Sequence, residues 1–292
     1  MKVKHRMVLC LLGVLICIGV SGCGKKDETQ PDNEKEFLSQ VEFSYMADAD
    51  TQELVGNAMS DAGISDERQQ IFFQRVDQFN SMAEEYLTDN FQTADIAKMP
   101  LYDPYALQDA WTLAYPNLYG YNCRITAYSL MADFIQVNSN AEKRDDYLVF
   151  DLLALDTDSD VFVNEQERDS FRVLFSAIPT DNTQDMNVHV KNIQEIWKER
   201  GISFKNNNGV SMVSVFLHDM LSENESELII GHVGVLLKQK NGELLFIEKV
   251  AFQEPYQVVR LANRTELNDY LMGKYDISYG QETAHPIIFE ND

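Results

Sequence analysis

Three side chains far apart in the chain are of the types that make and break acyl bonds. Cys123 stands in Tyr121-Asn122-Cys123-Arg124-Ile125-Thr126-Ala127, at the expected start of a helix. Unpaired N–H groups and the macrodipole there favour a thiolate, which is the nucleophilic form. Cys123 also falls on the apolar face of that helix, so a small core side chain is the other reading. His232 opens a strand in Ile230-Gly231-His232-Val233-Gly234, with glycines that leave room around an imidazole. A general base and a core histidine held by backbone both fit. His218, at a strand end beside Asp219, is the rival histidine. Glu248 breaks the apolar run Leu245-Phe246-Ile247, and either has a partner or faces solvent.

The turn between the last two strands decides whether Glu248 and His232 share a face. A two-residue Asn241-Gly242 loop pairs Lys240 with Glu243 and places Glu248 opposite Val235, on the wrong side. A three-residue loop with Gly242 in a bulge pairs Gln239 with Glu243, so that Gly234 opposes Glu248 and His232 lies one diagonal away on the same face. The second register is preferred.

A second group could bind a metal. Asp156, Asp158, Asp160 and Glu167 fall at positions 1, 3, 5 and 12 of a calcium loop, with Phe162 at the backbone-carbonyl position and Val163 at the apolar one. Position 6 is Val161 rather than glycine, and a solvated acidic loop is the alternative. Cysteine chemistry requires no cofactor. A structural calcium here is the one metal expected.

The elements that must position these residues change period along the chain. Phe72, Val76, Phe79, Ala83 and Tyr86 form one helical stripe after Ser65-Asp66-Glu67. Pro104 starts a helix that stops before Pro116, and another runs from Asn122 to Val137. Further helices are expected at 145–155, 164–178 and 188–200, the last closed by Gly201. Strands follow at 210–217, 227–238, 243–252 and 256–261, then a short helix at 265–272 and a strand at 286–289. Helices first and an antiparallel sheet second predict an α+β fold.

The chain of 292 residues carries 47 acidic against 24 basic side chains, a net −23. This excludes nucleic acid as an electrostatic partner. Lys2, Lys4 and Arg6 precede an apolar run from Met7 to Val20 that is too short to span a bilayer comfortably. The run ends in Val20-Ser21-Gly22-Cys23, which resembles the lipobox of bacterial lipoproteins. The resemblance implies a signal peptide over 1–22, a lipidated Cys23 and attachment to the extracytoplasmic face of the cell membrane. Residues 24–36 lack aliphatic and aromatic side chains and read as a tether, with one α+β domain over 37–292. Cys10 and Cys17 leave with the signal, so Cys123 is the one free thiol of the exported chain. In an oxidising compartment such a thiol is buried or used.

Cys123 at a helix start, Gly231-His232-Val233-Gly234 at a strand start and a polar residue on the next strand resemble the papain-like cysteine peptidases, in particular their NlpC-type cell-wall branch. Tyr115-Pro116-Asn117, Asn122-Cys123-Arg124-Ile125-Thr126-Ala127, Glu248-Lys249 and Glu254-Pro255-Tyr256 are similar to a bacterial lipoprotein family, domain of unknown function 4300. The first resemblance implies a papain-like core with Cys123 as nucleophile, His232 as general base and acid, and Glu248 holding the imidazole tautomer. It further implies oxyanion donors in the Cys123 N–H and the Asn117 side chain, with Asn122 as the alternative. NlpC-type enzymes more often carry a second histidine in the third role, and their Asp-Cys-Ser form is absent here. The expected function is a surface-anchored cysteine peptidase or amidase acting on cell-wall peptides. The alternatives are a lipoprotein of the same fold that binds a wall component or surface protein, and a solute-binding lipoprotein. The last is disfavoured by the lack of alternating strands and helices.

Overall fold

The computed structural model describes residues 38–291 except 159, 160, 163, 206–208, 223, 224, 278, 279 and 281. The leader, Cys23 and the tether therefore lie outside the described residues. In chain order the elements are β1 (Gln40–Ser44), α1 (Ala49–Asp61), α2 (Asp66–Ala83), β2 (Gln92–Asp95), α3 (Pro104–Ala114), α4 (Cys123–Met131), β3 (Ile135–Gln136), α5 (Val149–Thr157), α6 (Glu165–Phe175), β4 (Ile178–Thr180), α7 (Met186–Glu199), β5 (Ser203–Phe204), β6 (Val210–Ser222), β7 (Glu225–Lys238), β8 (Leu244–Lys249), β9 (Tyr256–Leu261), α8 (Arg264–Tyr275) and β10 (Ile287–Asn291). The fold is α+β, and Glu36–Asp292 forms one unit. No helix among the described residues is long and apolar enough to cross a membrane.

The main sheet runs β10-β6-β7-β8-β9-β1-β2, with β4 added to β7, and its pairings are antiparallel. Val213, Val215, Leu236, Phe246 and Val259 pack with Tyr270 and Leu271 of α8 on one face. On the other, Val233, Val235, Leu237, Leu245 and Ile247 pack with Phe79, Trp111, Ile125 and Phe171 of the helical half. Alternation along each strand sends neighbouring side chains to opposite faces, so both are apolar and both are covered.

The order of elements departs from helices first and sheet second. β1 and β2 belong to the N-terminal half and extend the sheet beyond β9. Val41 and Phe43 alternate over five residues, too short a run to stand out beside the helical stripes. The helix expected to reach Val137 ends at Met131 and tightens into a 3-10 turn over 132–134. β-branched Ile135 then pairs with Phe204. The expected helix to Ile178 stops at Phe175, because Pro179 disfavours helical backbone at Ile178, and that segment joins β7 instead.

The β7–β8 turn follows the three-residue register. Gln239 N–H donates to Glu243 O at 2.9 Å, Gly242 N–H donates to Gln239 O at 3.0 Å, and Gly242 sits at φ +91°. Val235 faces Ile247, so one further step brings Glu248 beside Gly234. β6 lines one edge of β7 along its length. The other edge is paired by β4 at Ser226–Leu228 and by β8 at Val235–Lys238. Between these stretches it stands open, and α4 packs on β7 and β8.

Candidate functional site

His232 owes its direction to a bulge. β6 pairs Val215 with His232 and the next residue, Phe216, with Ile230, leaving Gly231 as the extra residue. Ile230 and Val233 consequently share one apolar cluster, while His232 turns to the face carrying Glu248. The flanking glycines serve close approach more than space for the ring. A Cβ on Gly234 would lie 2.7 Å from Ile247 O and against the Phe246 ring, and one on Gly231 would lie 2.8 Å from Leu217 Cγ.

The imidazole Nε2–H donates to Glu248 Oε2 at 2.5 Å, and the ring stacks on Tyr275 with centroids 4.9 Å apart. Glu248 is fully buried. Its Oε1 accepts from Tyr270 Oη and Gln257 Nε2, with Lys274 Nζ at 3.4 Å. Burial pushes this carboxyl up, but Lys274, His232 and Tyr270 outweigh it and hold Glu248 well below the usual carboxylate range. It is an anchored anion, not a solvent-facing charge.

With Nε2 committed to Glu248, Nδ1 is the ring nitrogen left for the thiol. Cys123 is free, buried and the first residue of α4. Burial raises its pKa, yet the hydrogen bond and charge of His232, with Arg124, bring it below the ordinary thiol value. Burial likewise lowers the His232 pKa, but Glu248 and the Cys123 thiol lift it to about 9. Both shifts favour a thiolate–imidazolium pair near neutral pH. As the first helical residue, Cys123 has a backbone N–H without an intrahelical acceptor.

The structure also answers for the amides. Asn122 caps α4, its Oδ1 accepting from Ile125 N–H at 3.0 Å while its Nδ2 donates to Asp151 Oδ1 at 2.7 Å. Both ends of that side chain are occupied, which leaves it poorly placed as an oxyanion donor. Asn117 is exposed in the segment after α3. It lines a shallow cavity of about 530 Å³ with Tyr121 and Asp158. His218 is taken elsewhere: its Nδ1 accepts from Ala284 N–H at 3.0 Å and its ring packs on His189.

Two residues of this neighbourhood were not singled out from the sequence. Asp151, wholly buried, holds Asn122 and also Arg124. Lys249 is buried beside Glu248 in sequence but on the other face, over the Phe79 and Tyr256 rings. Its Nζ donates to the carbonyls of Ala251, Phe252 and Glu254. Burial lowers its pKa to about 7, opposed by Glu254 and Cys123. A lone carboxylate in the apolar run Leu148–Leu153 is the signal that could have marked Asp151, as a charge within a strand marked Glu248.

The aspartate loop is flanked by α5 and α6 as expected. Asp156 pairs with Arg168, Asp158 accepts from Tyr121 Oη at 2.5 Å, and Glu167 pairs with Arg68 at 2.6 Å. Asp160 lies outside the described residues. Among the described residues, no three His, Cys, Asp or Glu side chains gather in a group that could hold a metal ion.

No curated protein and no solved structure matches the chain. The family described as Domain of unknown function (DUF4300) matches residues 42–292, and the chain belongs to that family.

Proposed function

We propose that this protein is a cysteine peptidase or amidase with a papain-like Cys-His-Glu centre, carried on the outer face of the cell membrane by a lipid on Cys23 and acting on cell-wall peptides. The observation that supports it is a buried histidine bonded to an anchored carboxylate through Nε2, with the helix-start Cys123 thiol beside it and each shifting the other's pKa toward the charged form. Chemically, the Cys123 thiolate adds to the amide carbonyl and the Cys123 N–H faces the developing oxyanion. The imidazolium then gives its proton to the leaving amine. In the second half His232 takes a proton from water, and the resulting hydroxide releases the acyl group. Glu248 holds the ring and its charge throughout. Asn117 remains the candidate second oxyanion donor.

The test is the pH dependence of iodoacetamide alkylation. Cys123 should react with an apparent pKa below the ~8.5 of a free thiol, and His232→Ala should slow it about ten-fold or more at pH 7. Equal rates in the two proteins would end the enzyme reading. Release of new amines from purified peptidoglycan, lost in Cys123→Ser, tests the substrate. The lipid anchor is tested separately. Labelled fatty acid should mark the wild type and not Cys23→Ala.

The depth of the centre favours a second reading, a binding lipoprotein in which these groups hold the fold, since Cys123 is 6% and His232 1% exposed. On that reading Cys123→Ser changes stability and alters no covalent bond in the wall.

A further inference from the structure

Arg124 follows the cysteine directly, and its guanidinium reaches in two directions. Nε and Nη2 grip Asp151 at 2.9 and 2.5 Å, a two-point carboxylate contact. Nη1 donates to Ile230 O at 3.0 Å, a β7 carbonyl two residues before His232 and within the stretch that neither β4 nor β8 pairs. Nη2 also reaches Tyr147 O at 3.4 Å. Asp151 itself lies on α5 and receives the Asn122 amide at 2.7 Å. One fully buried carboxylate thus binds the residues on both sides of Cys123, and through Arg124 it reaches the strand of His232.

We propose that Asp151 is a positioning residue, locking the start of α4 to the open edge of β7 through Asn122 and Arg124 so that the Cys123 thiol is held against His232. The inference rests on the cysteine–histidine reading above and adds to it the part that sets the pair's separation. A thiol and an imidazole on different elements meet only if those elements cannot slide, and sub-ångström displacement weakens such contacts steeply. Here α4 and β7 share no backbone ladder, so the guanidinium takes the place of one. The groups that face the thiol are His232, Arg124, Asp151 and Lys249, and they differ in sign.

That difference makes the test decisive. A nearby negative charge by itself opposes thiolate formation, so Asp151 acting only through its charge predicts that Asp151→Asn lowers the Cys123 pKa and speeds alkylation. A positioning role predicts the reverse. Iodoacetamide alkylation of the full chain from pH 5 to 10 should show the apparent pKa in Asp151→Asn raised by about one unit and the rate at pH 7 about ten-fold slower. Arg124→Lys keeps the charge but loses the fork geometry, and it should slow the reaction similarly. If Asp151→Asn does not fold, Arg124→Lys carries the test by itself, because it leaves both charges in place while breaking the two-point grip on Asp151. Faster or unchanged alkylation in these variants, with a wild type that still depends on His232, overturns the positioning role alone. A wild type indifferent to His232→Ala overturns the pair itself and this inference with it.

Discussion

The Cys123–His232–Glu248 centre and the loop from Asp156 to Glu167 are both built from ionisable side chains, and both suggested chemistry by type and spacing. In the folded protein their circumstances diverge. Around Glu248 every polar neighbour turns inward: Gln257, Tyr270 and Lys274 come from β9 and α8, and His232 comes from β7. In the loop three of the carboxylates reach partners outside it, Asp156 to Arg168, Asp158 to Tyr121 and Glu167 to Arg68. One is a network gathered on a single buried carboxylate, and the other draws partners from several parts of the chain. Spacing brings ligands near each other, but convergence requires that no nearer partner satisfy them first.

The contrast is most directly broken at Glu248. Glu248→Ala leaves His232, Tyr270, Gln257 and Lys274 without their common acceptor, and chemical denaturation should show a loss of about 3–5 kcal/mol. Glu248→Gln should lose less, because an amide oxygen still accepts. A change under 1 kcal/mol in Glu248→Ala would mean that the network is not cooperative.

The next effect is on pH dependence. A His232 pKa raised from 6.5 to about 9 contributes stability that is complete below pH 6.5 and lost as pH rises through 9. A lowered Cys123 pKa contributes with the opposite slope. Above the lowered pKa of the folded thiol and below 9, the folded pair carries one proton, on the imidazole, and the unfolded chain carries one, on the thiol. Their contributions cancel, so wild-type stability should be flat there as far as this pair is concerned. Cys123→Ser removes the compensating proton, and stability should then fall by about 1–2 kcal/mol between pH 6.5 and 8.5. Parallel urea-melt profiles for the two proteins would contradict the ion pair.

The smallest effects belong to the loop. The Asp156–Arg168 pair is half exposed, and Asp156→Asn should change stability by less than about 1 kcal/mol. Calcium must displace Arg168, Tyr121 and Arg68 to gather these carboxylates. A thermal melt in millimolar calcium against chelator should therefore shift by less than about 2 °C. A larger shift would show that the loop, with Asp160, reorganises into a site.

Much of the positioning was legible because its causes are local. Cys123 at a helix start, Pro104 in a first turn, Gly201 closing α7 and Gly242 turning the hairpin each follow from backbone chemistry within a few residues. The hairpin register, and with it the shared face of His232 and Glu248, followed from counting through that turn. The Gly231 bulge did not, since an extra residue shows only against its partner strand. β1 was missed for a similar reason. Its five residues become a strand because β9 and β2 offer edges, and neither lies near it in sequence.

The sequence by itself determined which residues could carry chemistry, which elements they begin, and that the protein is α+β, because caps, turns and apolar periodicity act over a handful of residues. Only the tertiary structure decided which of those residues meet. It opened one edge of β7 between β4 and β8, set Arg124 and Asp151 across it, and gave Glu248 its ring of donors. Burial, charge pairing and register are properties of groups tens to hundreds of residues apart, and their energies exist only once the chain has brought them together.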